Sequence, residues 1–180
     1  MPTINCLFTD SPSPDWFAEL QLHSTRQGWA LVALPGLPEQ LHAPLVWFAA
    51  FPFAGHAQVL RLARRDQVRV LPVHTTTTVN LGPVIAGTSA CLECLSHTYA
   101  MFNSAVAPTQ DLASVPVALL ASGIIAGLHS QPHGSMQRID QSGQRDQVRI
   151  PRNPLCRVCS RYAIYPLEQL HQPASQSVAR

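Results

Sequence analysis

Two Cys-x-x-Cys pairs, Cys91-Leu92-Glu93-Cys94 and Cys156-Arg157-Val158-Cys159, constrain this chain more than any other feature. A two-residue spacer lets both sulfurs of a pair face one ion, and two such pairs complete a tetrahedron with bonds of about 2.3 Å. Sixty-one residues lie between the pairs, so one ion would tie the middle of the sequence to a point near its end. The free energy of binding that ion is then folding free energy. Protein fills all four positions and leaves none for a reactive water, which predicts a structural zinc ion and not a catalytic one. Two other uses of the cysteines exist. A thioredoxin-like redox pair accounts for one pair and leaves the other unexplained. A four-thiolate iron–sulfur cluster has the same ligand count, and spacing alone does not separate it from zinc. His97, three residues beyond Cys94, reads as capping or lining a helix, and Cys6 as a solitary thiol without a role.

A chain of 180 residues suffices for one domain with a core. Charged residues make up only 12% of it, about half the usual share. That scarcity predicts surface buried against partners in a homo- or hetero-oligomer. The net charge of +2 gives no attraction to nucleic acid. All twelve basic residues are arginine, so motifs that need a lysine on phosphate are ruled out. The first residues, Met1 to Asn5, carry no positive charge and precede no apolar run. The longest apolar run, Val115 to Leu128, has 14 residues, too short to span a bilayer. A cytoplasmic protein is expected, where paired cysteines bind metal more often than they form disulfides.

Ser13-Pro14-Asp15 is a helix-start signal, with Ser13 as cap, and predicts a helix over 14–26 that turns Phe17, Leu20 and Ser24 to one side. Ala30–Leu34 and Leu45–Ala49 read as continuous apolar strands. With helices between them they predict a mostly parallel sheet covered on both faces. A helix over 54–65 places Val59, Leu60 and Ala63 inward and Arg61, Arg64 and Arg65 outward. Strands follow over 67–73 and 75–86, helices over 95–103 and 112–128, with Pro116 in the first turn of the latter, and a hairpin over 135–140 and 146–150. Gly123-x-x-x-Gly127 is expected to pack the apolar helix tightly on the sheet. An echo between Arg65-Asp66-Gln67-Val68-Arg69-Val70 and Arg145-Asp146-Gln147-Val148-Arg149-Ile150 reads as two strands with arginine on the open face.

Other chemistry finds little support. Gly82-Pro83-Val84-Ile85-Ala86-Gly87-Thr88-Ser89 has phosphate-loop spacing but carries Thr88 where the lysine belongs. It reads as a strand ending in a glycine turn at Gly87. The sequence contains no Gly-x-Gly-x-x-Gly. His129 and His133 read as exposed loop residues, and Asp66, Asp111 and Glu93 as solvated or capping. No catalytic and no cofactor-binding residue is expected beyond the four cysteines.

The run Leu81 to Leu95, with its Gly-Pro strand, glycine turn and Cys-Leu-x-Cys-Leu knuckle, resembles a stretch of ThiF-like proteins related to ubiquitin-activating enzymes. Ile150 to Cys159, with Pro151 and Pro154 ahead of the cysteines, resembles that family's closing knuckle, and an apolar helix lies between the two. Within the superfamily the likeness points to ThiF-like partner proteins of the azole-forming synthetases that make thiazole- and oxazole-containing bacteriocins. It covers roughly residues 45–160. The resemblance implies a truncated ThiF-like, Rossmann-type α/β sheet with flanking helices, closed by a four-cysteine zinc site at Cys91, Cys94, Cys156 and Cys159. That fold is expected as one domain over residues 1–160, with 161–180 as a C-terminal segment and polar tail.

The ATP-binding glycine loop, lysine and aspartate of adenylating members have no counterpart in the sequence. The implied role is therefore a non-catalytic scaffold in a peptide-modifying complex. Its implied partners are a YcaO-type cyclodehydratase, an FMN-dependent dehydrogenase, a second ThiF-like subunit and the precursor peptide, with no nucleic acid and no membrane. Relatives begin with a winged-helix clasp for the leader peptide, and only about 30 residues precede the first strand expected here. Two other readings remain. One is a degenerate adenylyltransferase that completes its ATP site with a partner, using Arg61, Arg64 or Arg65. The other is a free-standing zinc-ribbon module.

Overall fold

The computed structural model describes residues 1–49, 56–76, 78–86, 90–95, 112–154, 156 and 159. Within them the chain runs β1 (Thr3–Phe8), α1 (Pro14–Arg26), β2 (Ala30–Leu34), β3 (Leu45–Phe48), α2 (His56–Arg65), β4 (Val70–Thr75), β5 (Val79–Leu81), a 3-10 turn (Leu112–Ser114), α3 (Val117–His129), β6 (Ser135–Ile139) and β7 (Arg145–Arg149). One seven-stranded sheet results, in the order β2-β1-β3-β4-β5-β6-β7. The first four strands in that order are parallel, with Cys6 opposite Val46 and Val46 opposite Leu71. The remaining pairings are antiparallel, with Val73 opposite Leu81, Leu81 opposite Gln137 and Gln137 opposite Gln147. The α/β class and the flanking helices are as expected, and the antiparallel wing accounts for nearly half the sheet.

Helices cover both faces. On one, Leu20 of α1 and Leu120, Ala121 and Ile124 of α3 pack on Ile4, Cys6, Val46, Leu71, Val73, Leu81 and Ile139. On the other, Val59, Leu60 and Ala63 of α2 pack with Leu45, Trp47 and Val70, and the four cysteines belong to this second core. β3 shows the logic, since all four of its residues are buried and alternate residues feed opposite cores. Gly123 and Gly127 let α3 lie directly on the sheet. A Cβ at Gly123 would come within 2.5 Å of Leu81 Cδ1, and one at Gly127 within 2.9 Å of Leu71 Cδ2.

α1 has the expected bounds and buries Leu20 and Ser24, but the hydroxyl of Ser13 makes no capping bond. The Ser13 carbonyl instead accepts the Phe17 amide at 3.0 Å. Pro116 caps α3 from outside, its carbonyl accepting the amides of Leu119 and Leu120. The predicted single helix from Leu112 is therefore a 3-10 turn, a break and a helix, because proline cannot donate within a helix.

Three expectations need correction. The first strand is β1, not Ala30–Leu34, and it lies between β2 and β3. Its six residues include Thr3 and Asn5, so no apolar run marks it. Ladders on both sides hold it in the sheet. The segment 75–86 is not one strand: β5 ends at Leu81, Gly82 takes φ 121°, and Ile85 then bridges back to Val70. The echoed hexapeptides also have different structures. The second is β7 and its continuation, whereas Arg65 ends α2, Gln67 turns with φ 54°, and β4 starts only at Val70. Arg65 is bonded to Asp66 and to the Glu39 carbonyl, and Asp66 Oδ2 accepts the Leu41 amide at 2.7 Å, which fastens the β2–β3 connection to the end of α2. These partners hold the Asp66 carboxyl down to about 2, the Arg65 side chain first. Most of the predicted helix over 95–103, the glycine turn at Gly87, residues 50–55 and the tail from 160 lie outside the described residues.

Candidate metal centre

The start of β6 brings the two cysteine pairs together. After Gly82 the chain crosses beside it, with the Val84 amide donating to the Ser135 carbonyl and the Gly134 amide to the Val84 carbonyl. The strand leading to the second pair passes the same point, where the Ile150 amide donates to the Gly134 carbonyl at 2.9 Å. Segments far apart in sequence thus flank Gly134, which takes φ 75°, a conformation that favours glycine, while Ala90 packs against it at ordinary contact distance. A Cβ at Gly134 would lie 3.5 Å from the Ala90 amide nitrogen. Residues 92–95 form a helical turn after Cys91, closed by the Leu95 amide on the Cys91 carbonyl. In the second pair the Cys156 amide donates to the Asn153 carbonyl.

The ligand atoms of Cys91, Cys94, Cys156 and Cys159 all lie within 4.8 Å of one another, and all four residues are buried. Sulfur separations are 4.0 Å for Cys91–Cys94, 3.7 Å for Cys91–Cys156 and 3.3 Å for Cys94–Cys159. A disulfide requires about 2.05 Å, and the cysteines are free. Tetrahedral bonds of about 2.3 Å put the sulfurs about 3.8 Å apart, within the range seen. Four sulfurs this close surround a single ion, whereas a cluster of several irons holds its cysteines wider. The donor set therefore fits one thiophilic cation.

The Asn153 amide donates to Cys94 Sγ at 3.4 Å. The sulfur contacts divide the thiols: Cys94 is held well below its ordinary value, first by the Cys159 sulfur, next by that of Cys91 and further by the amides of Cys91 and Asn153, whereas Cys91 is pushed up, first by the Cys159 and Cys94 sulfurs and then by burial. Arg152 Nη2 donates to the Cys159 carbonyl, which places a guanidinium beside an arrangement whose thiolates outnumber the charge of a divalent ion. A hollow lined by Ala90, His133, Gly134, Arg149, Ile150, Pro151 and Arg152 flanks the site. Asn153 and Arg152 escaped notice in the sequence, where only the run of prolines before Cys156 marked the approach.

The other singled-out residues lie elsewhere. Cys6 is buried in β1, remote in the fold from the cluster, and burial pushes its thiol up to about 12. His129 and His133 are both exposed, as expected, but His129 is not in a loop: it ends α3 and meets Trp29 edge-on with centroids 4.6 Å apart. Thr88, Ser89, His97 and Asp111 lie outside the described residues. Among the described residues no helix is long and apolar enough to cross a membrane.

No protein-family model matches this sequence, and no curated protein matches it. Solved structures do. A heterocyclase in complex with substrate and cofactor aligns with a TM-score of 0.59 at 15% identity, over 91% of this chain and 26% of the heterocyclase chain. A chain of the E. coli microcin synthetase McbBCD complex aligns with a TM-score of 0.56 at 8% identity, over 86% of this chain and 67% of its own. E. coli MccB aligns with a TM-score of 0.52 at 15% identity, over 92% and 60%. The chain spans about a quarter of the heterocyclase structures and about 60% of MccB. At such identities the likeness is one of fold.

One buried group carried no sequence signal. His74 sits within β4 ahead of a threonine run, and burial pushes its imidazole down from 6.5 to about 3. Between those values the unfolded chain takes up a proton that the folded chain refuses. The contribution of His74 to stability is therefore complete above pH 6.5 and shrinks as pH falls towards 3, by about 1.4 kcal/mol per pH unit. Between pH 6.5 and 5 the loss should be about 2 kcal/mol. Urea unfolding across this range with zinc in excess is expected to show a steeper slope in the wild type than in His74→Leu, by about 1.4 kcal/mol per pH unit, since protonation of the released zinc thiolates adds the same slope to both proteins. Equal slopes in the two proteins would assign it to other groups.

Proposed function

We propose that this chain is a zinc-stapled, non-catalytic docking subunit of a peptide-modifying complex that forms azoline or azole rings. The observation that carries the reading is the four-cysteine cluster at the end of a sheet whose fold is shared with a heterocyclase and with a chain of a microcin synthetase complex. Zinc is the ion of choice for four thiolates in closed tetrahedral geometry, where it staples and does not react. Two observations favour docking over adenylation. The turn after β1, Thr9-Asp10-Ser11-Pro12-Ser13, contains no glycine to admit a phosphate, and α1 opens on Pro14, which has no amide proton to offer. Arg65, a candidate to reach a neighbour's phosphates, is already bonded to Asp66 and Glu39.

In the proposed complex a YcaO-type cyclodehydratase joins a cysteine, serine or threonine side chain to the preceding carbonyl with loss of water. An FMN-dependent dehydrogenase then oxidises the ring. This chain, with a second ThiF-like subunit, would hold enzyme and precursor peptide in register in the cytoplasm. Reconstitution tests the role. The cyclodehydratase, precursor and ATP are combined with and without this chain, and ring formation is followed by mass as loss of one water per ring. Co-purification with the cyclodehydratase and at least ten-fold faster cyclisation in its presence are expected, with one zinc per chain. Unchanged cyclisation without it, or ATP–phosphate exchange by this chain alone, overturns the docking role.

A further inference from the structure

Apart from the cysteine cluster, the carboxyl ends of β1, β3 and β4 open on a cavity of about 460 Å³. That volume lies within the range of small-molecule sites, about 300–1,000 Å³. Its place in the topology points the same way, because β2 and β3 lie on opposite sides of β1. In open α/β sheets the crevice where successive connections diverge is where ligands collect. Its walls are aromatic. Phe8 and Phe48 stack with centroids 4.5 Å apart and planes 8° apart, and Trp16 stands edge-on to Phe48 at 5.8 Å. Val73 and His74 contribute from β4. The imidazole is uncharged near neutral pH because burial disfavours its cation.

The rim decides the charge of what enters. Thr9 Oγ1 is taken up by the Phe48 carbonyl at 3.1 Å. Asp10 is exposed and makes no hydrogen bond or ion pair among the described residues, so its carboxylate is free to accept from a ligand. Among the described residues neither arginine nor lysine lines the cavity, and Pro12 and Pro14 offer no amide proton at the turn where a phosphate would rest. A phosphate here would meet the like charge of Asp10 and no cation among the described residues, only the neutral hydroxyls of Ser11, Ser13 and Thr75.

We infer that this cavity binds a flat, uncharged or cationic ring bearing an N–H donor, and that it rejects nucleoside phosphates. The ring lies against Phe48 and Trp16, where stacked and edge-on geometries are favourable, and its N–H donates to Asp10. A free heteroaromatic and an aromatic side chain within a peptide present the same chemistry. The inference is independent of the docking role, since a ring could bind whether or not the chain joins a cyclodehydratase.

Isothermal titration of the full-length, zinc-loaded protein with indole, N-acetyl-L-tryptophanamide and ATP–Mg tests it. Saturable one-to-one binding of a ring probe is expected, with ATP–Mg at least ten-fold weaker. Tighter binding of the amide assigns a peptide source, and tighter binding of indole a free ring. Ser11→Trp at the exposed rim should fill the cavity and abolish binding with Tm unchanged. Asp10→Asn, which keeps an acceptor but loses the charge, should weaken the ring about five-fold. Absence of saturable ring binding to cooperatively melting protein, ATP–Mg binding as tight as the ring, or Asp10→Asn and Ser11→Trp proteins that both bind like wild type would each overturn the inference.

Discussion

Cys91→Ser protein should purify without stoichiometric metal and without a cooperative melting transition at the wild-type temperature. Cys91 Sγ lies 4.0 Å from Cys94 and 3.7 Å from Cys156, so it belongs to both halves of the cluster. Removing it opens the tetrahedron and strands three sulfurs in the core beside Trp47, Leu92 and Leu95. Structural zinc contributes on the order of 10 kcal/mol or more in small zinc-binding domains, while a whole domain is stable by about 5–15 kcal/mol. Loss of one ligand therefore consumes most of the stability available. Zinc content by atomic emission and thermal unfolding by circular dichroism check this, with wild type treated with a strong chelator as a second route to the same state. Cys6→Ser is the control. Cys6 is equally buried but lies in β1 against the opposite core, so that variant should retain full metal. A Cys91→Ser protein that holds one zinc per chain and melts like wild type would remove the site.

That cluster was legible in the sequence because metal geometry writes itself as spacing. Two residues between thiols is a local requirement, independent of how the rest of the chain folds. Helix α1 was legible for the same reason, since Pro14 and Asp15 act within its own first turn. What the sequence concealed depends on neighbours far along the chain. β1 has no strong pattern of its own, and strands on both sides recruit it into the sheet. Asp66 read as a solvated or capping carboxylate, yet it pins the Leu41 amide 25 residues away. The two copies of Arg-Asp-Gln-Val-Arg differ because one follows a helix and must turn at Gln67, while the other continues from a hairpin. The aromatic cavity takes its polar rim from the stretch Thr9–Ser13, but its aromatic walls come from β1, α1 and β3, one ring each, so no single stretch announces it.

Convergence of the cysteine pairs depends on one glycine outside both of them. Gly82→Ala is expected to lower stability by about 3–5 kcal/mol, from strain at positive φ together with overpacking. Gly82 takes φ 121°, a conformation that a side chain disfavours, and its amide donates to the Pro72 carbonyl at 2.7 Å, so the backbone cannot rotate away without losing that bond. An added Cβ would lie 2.7 Å from the Ser135 carbonyl oxygen and 3.1 Å from Met136 Cα, both backbone atoms of β6 that no rotamer change can move. The same carbonyl accepts from the Val84 amide and from Gln131 Nε2. Pushing β6 aside therefore strains the contacts that hold Val84 and Ile150 beside it, on the approaches to the two cysteine pairs. The expected signature is double: a lower urea midpoint, and faster loss of zinc to a colorimetric chelator in protein that is still folded. Gly28→Ala separates this from backbone strain alone. Gly28 also has positive φ, at 84°, but nothing lies within 4 Å of a Cβ there. It should cost only the strain, about 1–3 kcal/mol, and leave the rate of zinc release unchanged. If Gly82→Ala released zinc no faster than Gly28→Ala, the crossing at Ser135 would not be what holds the two pairs together.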